Sequence, residues 1–302
     1  MTDPWAIRTG ALTKRYGAFD AVRALDLRVT RQGITGFLGR NGAGKSSTIR
    51  MLLGMCRPSS GTGSVLGLRI DDPGESLEIR RRVAYVAEDK QTYAYMTAKQ
   101  MIGFTRSFYP DWRPARERSL LDLYELPLHR KVKALSKGMR TKLALLLALA
   151  RRPELLILDE PTEGLDPVSI EELLQSLVAA AEEGTTIFFS SHQITDVERI
   201  SDRVCIIDRG RLAADLSLEH MRQEYRRITL GFGTDPPVSD FAMPGIERLR
   251  TSGRQMSLFV SRNASAVVEQ ARRAAVVSVD VTPVTLRDVF LETVQQSVTE
   301  TA

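Results

Sequence analysis

Cysteine is scarce: Cys56 and Cys205 are the only two in 302 residues. Their separation fits no metal or redox spacing, and a reducing cytoplasm is the expected setting. Long hydrophobic runs are missing as well. The longest uncharged apolar stretch is LALLLALA, residues 143–150. A membrane-spanning helix needs ~20 apolar residues, so the chain is not expected to cross a bilayer unaided. The start, MTDPWAIRTG, has no basic region followed by an apolar one, and no secretory signal is expected. There is no internal repeat and no low-complexity tract.

What is present suits a packed interior. Hydrophobic residues make up 43% and charged residues 26%, enough for one large or two modest domains. The net charge is +5, which raises the question of an anionic partner. The arginines are scattered (Arg80–Arg82, Arg151–Arg152, Arg226–Arg227, Arg272–Arg273) and interleaved with Glu and Asp. No base-stacking or base-reading motif accompanies them, so no nucleic-acid partner is expected.

Up to residue 215, short apolar runs alternate with helical patterns. GITGFLG (33–39), RVAYVA (82–87), LLILD (155–159), TIFFS (186–190) and RVCIID (203–208) read as strands buried on both faces. Helices are expected over 45–54, 168–182 and 193–201. The pattern is that of a doubly wound α/β sheet. Residues 97–150 break it, reading as helices only, with Thr97 as a cap and Pro114 as an opener. An all-helical insert is expected there. Beyond 218 the alternating runs RITLGF, QMSLFVS and VVSVDV flank two amphipathic stretches. Thr285 and Asp288 have capping-box spacing. A small α+β domain is expected over 219–302.

GFLGRNGAGKSS follows a strand and opens a helix, and Gly39–Ser46 fit G-x-x-x-x-G-K-S. Backbone amides of such a loop close around phosphates, Lys45 adds charge, and the Ser46 hydroxyl suits Mg²⁺. Gly39, Asn41, Gly42, Ala43, Gly44, Lys45, Ser46 and Ser47 are the candidate nucleotide contacts. LLILDEPT brings Asp159 and Glu160 to a strand end, the ligand edge of a parallel sheet. Asp159 suits the metal shell and Glu160 a general base toward water; two carboxylates capping a turn before Pro161 is the bland alternative. His192, in FFSSHQI, reaches the same edge. His129 and His220 are expected to be solvated. A second anion site is marked by KALSKGM, residues 133–139: Ser136 and Gly138 precede an apolar helix whose first amides are free.

Phosphate loop, LSKGM, LLILDE, EGLDP and SSH occur in the order and spacing of an ABC-transporter ATPase subunit, which residues 7–215 resemble. The resemblance implies a P-loop NTPase core with a helical subdomain, and ATP and Mg²⁺ as ligands. It implies a head-to-tail dimer, homodimeric or heterodimeric, in which Ser136 and Gly138 complete the partner's site. By position, Tyr16 in KRYG matches the adenine-stacking aromatic, with an ordinary strand-end tyrosine as the alternative. Asp166 in EGLDP matches the loop crossing the interface. Glu88 in YVAEDK takes the place of the usual glutamine that links Mg²⁺ and water to the helical subdomain. Lys137 and Met139 replace the signature's glycine and glutamine. Glu88 and the following YMT resemble the exporter-type, ABC-2-like bacterial branch.

The implied function is an ATP-hydrolysing motor that drives separate multispanning permease subunits from the cytoplasmic face of the membrane. A ribosome-associated ABC protein would carry two cassettes or a charged coiled-coil insert, and a P-loop kinase has no use for LSKGM. Six aromatics crowd residues 93–112. Tyr93, Tyr95 and Trp112 are expected in loops, as docking residues for the membrane partner. Phe104 and Phe108 are open between docking and the insert's own core.

Overall fold

The computed structural model describes residues 3–89, 93–274 and 276–299. It divides into two compact units, 1–215 and 216–302. The division falls three residues before the 218/219 boundary expected from sequence.

The first unit is built on a six-stranded sheet in the order β11(Arg211–Ser217), β10(Arg203–Asp208), β4(Ile34–Leu38), β9(Thr186–Ser191), β8(Leu155–Leu158), β7(Val83–Val86). From β10 through β7 every pairing is parallel. All residues of β4, β8 and β9 are buried, because helices cover both faces of a parallel sheet and leave no polar side. The five strands read from sequence are therefore present within a residue or two.

Three helices follow strands. α1(Lys45–Leu52) follows β4, α6(Pro167–Glu182) follows β8, and α7(Ile194–Ile200) follows β9. The connections place β4, β8 and β9 side by side with their C-terminal ends at one edge.

A second sheet precedes and flanks this core. β1(Trp5–Tyr16) pairs antiparallel with β2(Phe19–Leu25), β3(Arg28–Thr30) and β5(Ser60–Val65), and β5 pairs with β6(Leu68–Arg69). It leads into α2(Pro73–Arg82), capped by the Asp72 side chain on the Glu75 amide. Neither this sheet nor α2 belongs to the alternating pattern read from sequence.

The helical insert consists of α3(Ala98–Arg106), α4(Pro114–Tyr124) and α5(Lys137–Leu149). Thr97 caps α3 through a reciprocal capping box with Gln100, and Pro114 occupies the first turn of α4. α5 packs against α3, α4, α6 and β7, burying Leu143, Leu146 and Ala150 as its spacing requires.

The second unit opens with α8(Leu218–Glu224). A four-stranded antiparallel sheet follows, in the order β13(Ile246–Ser252), β14(Gln255–Val260), β12(Arg226–Gly231), β15(Ser278–Pro283). α9(Ala264–Arg273) packs on β12, and Ile228, Leu230, Leu258, Val267 and Ala271 form the core. α10(Leu286–Thr299) closes the unit; Thr285 and Asp288 exchange the bonds that their spacing anticipates. Among the described residues no helix is long and apolar enough to cross a membrane.

Candidate active site

The turn after β4 is shaped by what glycine alone permits. A Cβ on Gly39 would stand 2.6 Å from the Ile207 carbonyl oxygen. Gly44 has φ 110°, and a Cβ there would collide with the Ala21 carbonyl. Gly44 caps α1 without any side-chain hydrogen bond, so no side chain takes the first amides of the helix, the groups that attract phosphate. A cavity of about 360 Å³ lies against them. Asn41, Gly42, Gly44, Lys45, Ser46 and Ser47 line it from the loop, Glu88, Glu160, Glu163 and His192 from the sheet edge, and Phe19 and Ala21 from the antiparallel sheet. Gly39 and Ala43 lie behind this lining and shape the turn; Ala43 is buried.

Lys45 is buried and donates to the carbonyls of Gly39, at 2.7 Å, and Arg40, at 3.3 Å. Its Nζ lies 2.9 Å from Glu160 Oε1. That oxygen makes no oriented hydrogen bond, so the contact with Lys45 is Coulombic. The other oxygen, Oε2, lies 2.8 Å from His192 Nδ1. One carboxylate thus bridges the loop lysine and the histidine that follows β9. Glu163 comes from the far side, 3.5 Å from His192 Nε2. One ligand atom from each of Glu160, Glu163 and His192 lies within 4.8 Å of the other two.

The strand register explains how two adjacent carboxylates are held. Ser190, on β9, donates to Asp159 Oδ1 at 2.6 Å and accepts from the Glu160 amide at 3.0 Å. Glu160 sits at φ 45°, an uncommon conformation for a side chain with a Cβ, and the turn directs it away from Asp159. Tyr85 lies beside Asp159; burial first, then that charge, pushes its hydroxyl up to about 12, so it stays neutral at physiological pH.

Ser46, Glu88 and Asp159 offer only oxygen donors. Ser46 and Glu88 line the phosphate cavity. All three also line a neighbouring cleft of about 630 Å³. A hard, all-oxygen set where a phosphate cavity opens into a second space fits Mg²⁺.

Four candidates belong neither to the phosphate turn nor to the lining of the cavity or the cleft. Tyr16 is exposed at the end of β1, with Lys14 Nζ 5.1 Å from its ring centre. Ser136 caps α5 by accepting from the Met139 amide at 3.2 Å. A Cβ on Gly138 would meet Ser169 Oγ at 2.7 Å and Asp166 Oδ2 at 3.9 Å. Asp166 itself caps α6, accepting from the Ser169 amide and hydroxyl, bonds that hold its carboxyl below the usual range. Gly138 therefore packs on the start of α6, and neither it nor Ser136 lines the cavity of the chain's own phosphate loop.

The aromatic stretch divides differently from its sequence reading. Trp112 is buried, and its indole N–H donates to Glu117 at 2.6 Å. It is a core residue and not a docking residue, because Glu117 on α4 turns the ring inward. Tyr93, Tyr95, Phe104 and Phe108 are exposed and form a chain of tilted and edge-to-face contacts 5.0–5.9 Å apart. Phe104 and Phe108 are thus surface residues. Tyr109 packs against Arg151, whose guanidinium carbon is 3.6 Å from the ring centre, and both line the 630 Å³ cleft. His129 and His220 are exposed, as expected.

Ser190, Glu163 and Phe19 were not singled out in sequence. Ser190 lies inside the run that carried His192, and Glu163 opens EGLDP, the run that carried Asp166, so their neighbourhood was the available signal. Phe19 carried none.

Comparison with known proteins gives the family. The ABC transporter family model matches residues 22–163. The bacitracin transport ATP-binding protein BcrA of Bacillus licheniformis is 38% identical over 224 residues, 73% of this chain and 72% of that protein. The chain belongs to the ABC transporter ATP-binding family. The Nod factor export ATP-binding protein I of Neorhizobium galegae is 34% identical over 294 residues, 95% of this chain and 84% of that protein, so similarity runs through the second unit as well. A solved ATP-binding subunit of an ABC transporter superposes with a TM-score of 0.65 at 30% identity, covering 72% of this chain and 92% of its own.

Proposed function

We propose that this ABC subunit hydrolyses ATP to drive a membrane exporter, with Glu160 as the general base. The observation that carries the reading is the Glu160 carboxylate, placed between Lys45 and His192 at the wall of the phosphate cavity with Oε1 free of any oriented hydrogen bond. A base must lie within reach of the water it deprotonates and beside the phosphate that water attacks. Nucleotide phosphates enter against the α1 amides, and Lys45 exchanges its Glu160 contact for them. Glu160 then accepts the proton of the attacking water, and His192 holds the carboxylate and reaches toward the γ-phosphate. Ser46, Asp159 and Glu88 would hold Mg²⁺, which would neutralise phosphate charge there. Tyr16 stacks on adenine.

Ser136, Gly138 and Asp166 act across a dimer, the first two on the partner's γ-phosphate. Their distance from the local cavity supports this reading, since a helix start of that composition is otherwise left without an anion. The exposed aromatic chain from Tyr93 to Phe108, beside the 630 Å³ cleft, receives the membrane subunit on the cytoplasmic face. A relative named for Nod factor export favours outward movement. Residues 216–302 serve dimerisation or regulation.

Phosphate release from ATP by the purified chain tests the reading. Mg²⁺-dependent release that disappears in Lys45→Ala supports it. Unchanged release in Lys45→Ala overturns it.

A further inference from the structure

The second unit contains a charged hollow that ATP chemistry does not use. Along its sheet, Arg227 stands opposite Phe259, which stands opposite Arg248; Thr229 stands opposite Ser257, which stands opposite Arg250. Ile228 and Leu258, the intervening residues, belong to the core. The alternation of strand side chains therefore gathers three arginines and two hydroxyls on the face away from that core. α10 adds Glu292, and the residues enclose about 290 Å³.

The three arginines converge on the carboxylates of α10. Glu292 Oε2 accepts from Arg248 at 2.7 Å and Arg250 at 2.9 Å, while Oε1 lies 3.8 Å from Arg227. Arg227 also approaches Asp288 Oδ1, at 3.3 Å. The other oxygen of Asp288 is committed to the amide and hydroxyl of Thr285. Among the described residues, Glu292 and Asp288 meet all three guanidiniums, and Asp288 already caps a helix. Glu292 is 12% exposed and Arg248 19%, whereas Arg250 is 51% exposed. The floor is enclosed and one side is open to an incoming ligand.

We propose that this hollow is a phosphate-binding site in which a phosphate group takes Arg248 and Arg250 from Glu292. A phosphate carries more charge than a carboxylate and has three strong acceptor oxygens. Guanidinium forks match those oxygens in pairs, and Thr229 and Ser257 supply hydroxyl donors between them. A bound phosphate repels Glu292, so occupancy loosens the hold of the sheet on α10. The site is independent of the phosphate loop.

Hydrogen exchange on the full chain, with Mg·ADP saturating the phosphate loop, reads the site directly. Inorganic phosphate is expected to slow exchange in 226–231 and 248–259 and to speed it in 286–294. Chloride at equal ionic strength does neither. Arg248→Gln with Arg250→Gln abolishes the effect, and Arg250→Gln alone, at an exposed position, weakens it if the double variant fails to fold. Glu292→Gln removes the competitor and tightens phosphate about fivefold. Equal effects of chloride and phosphate, or unchanged or weaker phosphate binding in Glu292→Gln, overturn the proposal.

Two further arms identify the source. Glycerol 3-phosphate reproducing the pattern assigns a soluble phosphate ester. A pattern stronger with phosphatidylcholine vesicles that contain phosphatidic acid than with either soluble phosphate, and lost in the arginine variants, assigns a lipid headgroup. Absence of the pattern in every arm overturns the site.

Discussion

Two turns in the first unit begin a helix with serine and glycine, and they are equipped differently. The turn into α1 ends in Gly44, with no side chain on its amides, and opens on a cavity that holds Lys45, Glu160 and His192. The turn into α5 has Ser136 bonded to the Met139 amide, and Gly138 close against Ser169. Lys137 reaches over Gly164, where a Cβ would collide with its ammonium. The first turn combines amides with a base and a counter-charge, so it can bind a phosphate and activate water. The second offers donors without a base. Such a surface suits the proposed role in a site that another molecule completes.

The largest effect tests the better-equipped turn. Glu160→Gln keeps the shape and removes the base, and turnover is expected to fall about 10²-fold or more. The variant also loses the buried ion pair with Lys45. Nucleotide binding must break that pair in the wild type, so the variant should bind ATP more tightly and accumulate as an ATP-bound dimer. Near-normal steady-state phosphate release in Glu160→Gln would remove Glu160 from the base role.

The second turn is tested by mixing lesions in a homodimer of this chain. Lys45→Ala spoils one phosphate loop, and Ser136→Arg blocks one α5 turn. Each pure variant is expected to be inactive. A mixed dimer then contains one doubly damaged site and one intact site, provided that the α5 turn serves the partner, and activity should return in part. If the turn served its own loop, every site in the mixture would carry a lesion and nothing would return.

These differences show what the sequence could carry. The parallel strands were legible because continuous apolar runs such as LLIL and TIFFS have no polar face to expose. The antiparallel sheet of residues 5–69 was not, because β1 is irregular: its register shifts between Leu12 and Lys14 against β2 and between Gly10 and Thr13 against β5. A bulged strand loses the period of two on which such readings rest. α2 hid behind charge, with Ser76 and Ile79 as its buried residues. In the site, Lys45 was legible from the glycine-rich motif, and Asp159, Glu160 and His192 from their places at strand ends. Ser190 was not, since its role comes from the pairing of β8 with β9 and from no spacing along the chain.

Trp112 and Tyr95 extend the comparison to the helical insert, where a buried and an exposed aromatic share one stretch. Trp112→Ala removes a buried ring and leaves Glu117, which also pairs with Arg106 at 2.7 Å. A loss of about 3–5 kcal/mol of stability is expected, measured by chemical denaturation. Tyr95→Ala, at a position 66% exposed, should change stability by about 0.5 kcal/mol or less. It should instead weaken co-purification with the membrane partner, more clearly when combined with Phe108→Ala. Full retention of the complex by that pair of substitutions would move the docking surface away from the aromatic chain.

The smallest effect is expected at Lys137, and it decides how the second turn handles phosphate. A lysine beside Ser136 could strengthen an anion site by its charge alone. In the structure its ammonium lies over Gly164, in the loop that leads to Asp166, and its stem covers that loop. Lys137 then acts as packing between the α5 turn and the start of α6, and the proposed contact with a partner's phosphate falls to the Ser136 hydroxyl and the helix amides. Lys137→Ala should leave KM for ATP within about threefold of the wild type and change kcat little, because no interaction specific to the transition state is removed. A tenfold rise in KM, suppressed by high salt, would mean that the ammonium leaves Gly164 and reaches the partner's nucleotide. The second turn would then carry a counter-charge of its own, and the contrast with the phosphate loop would narrow to the missing base.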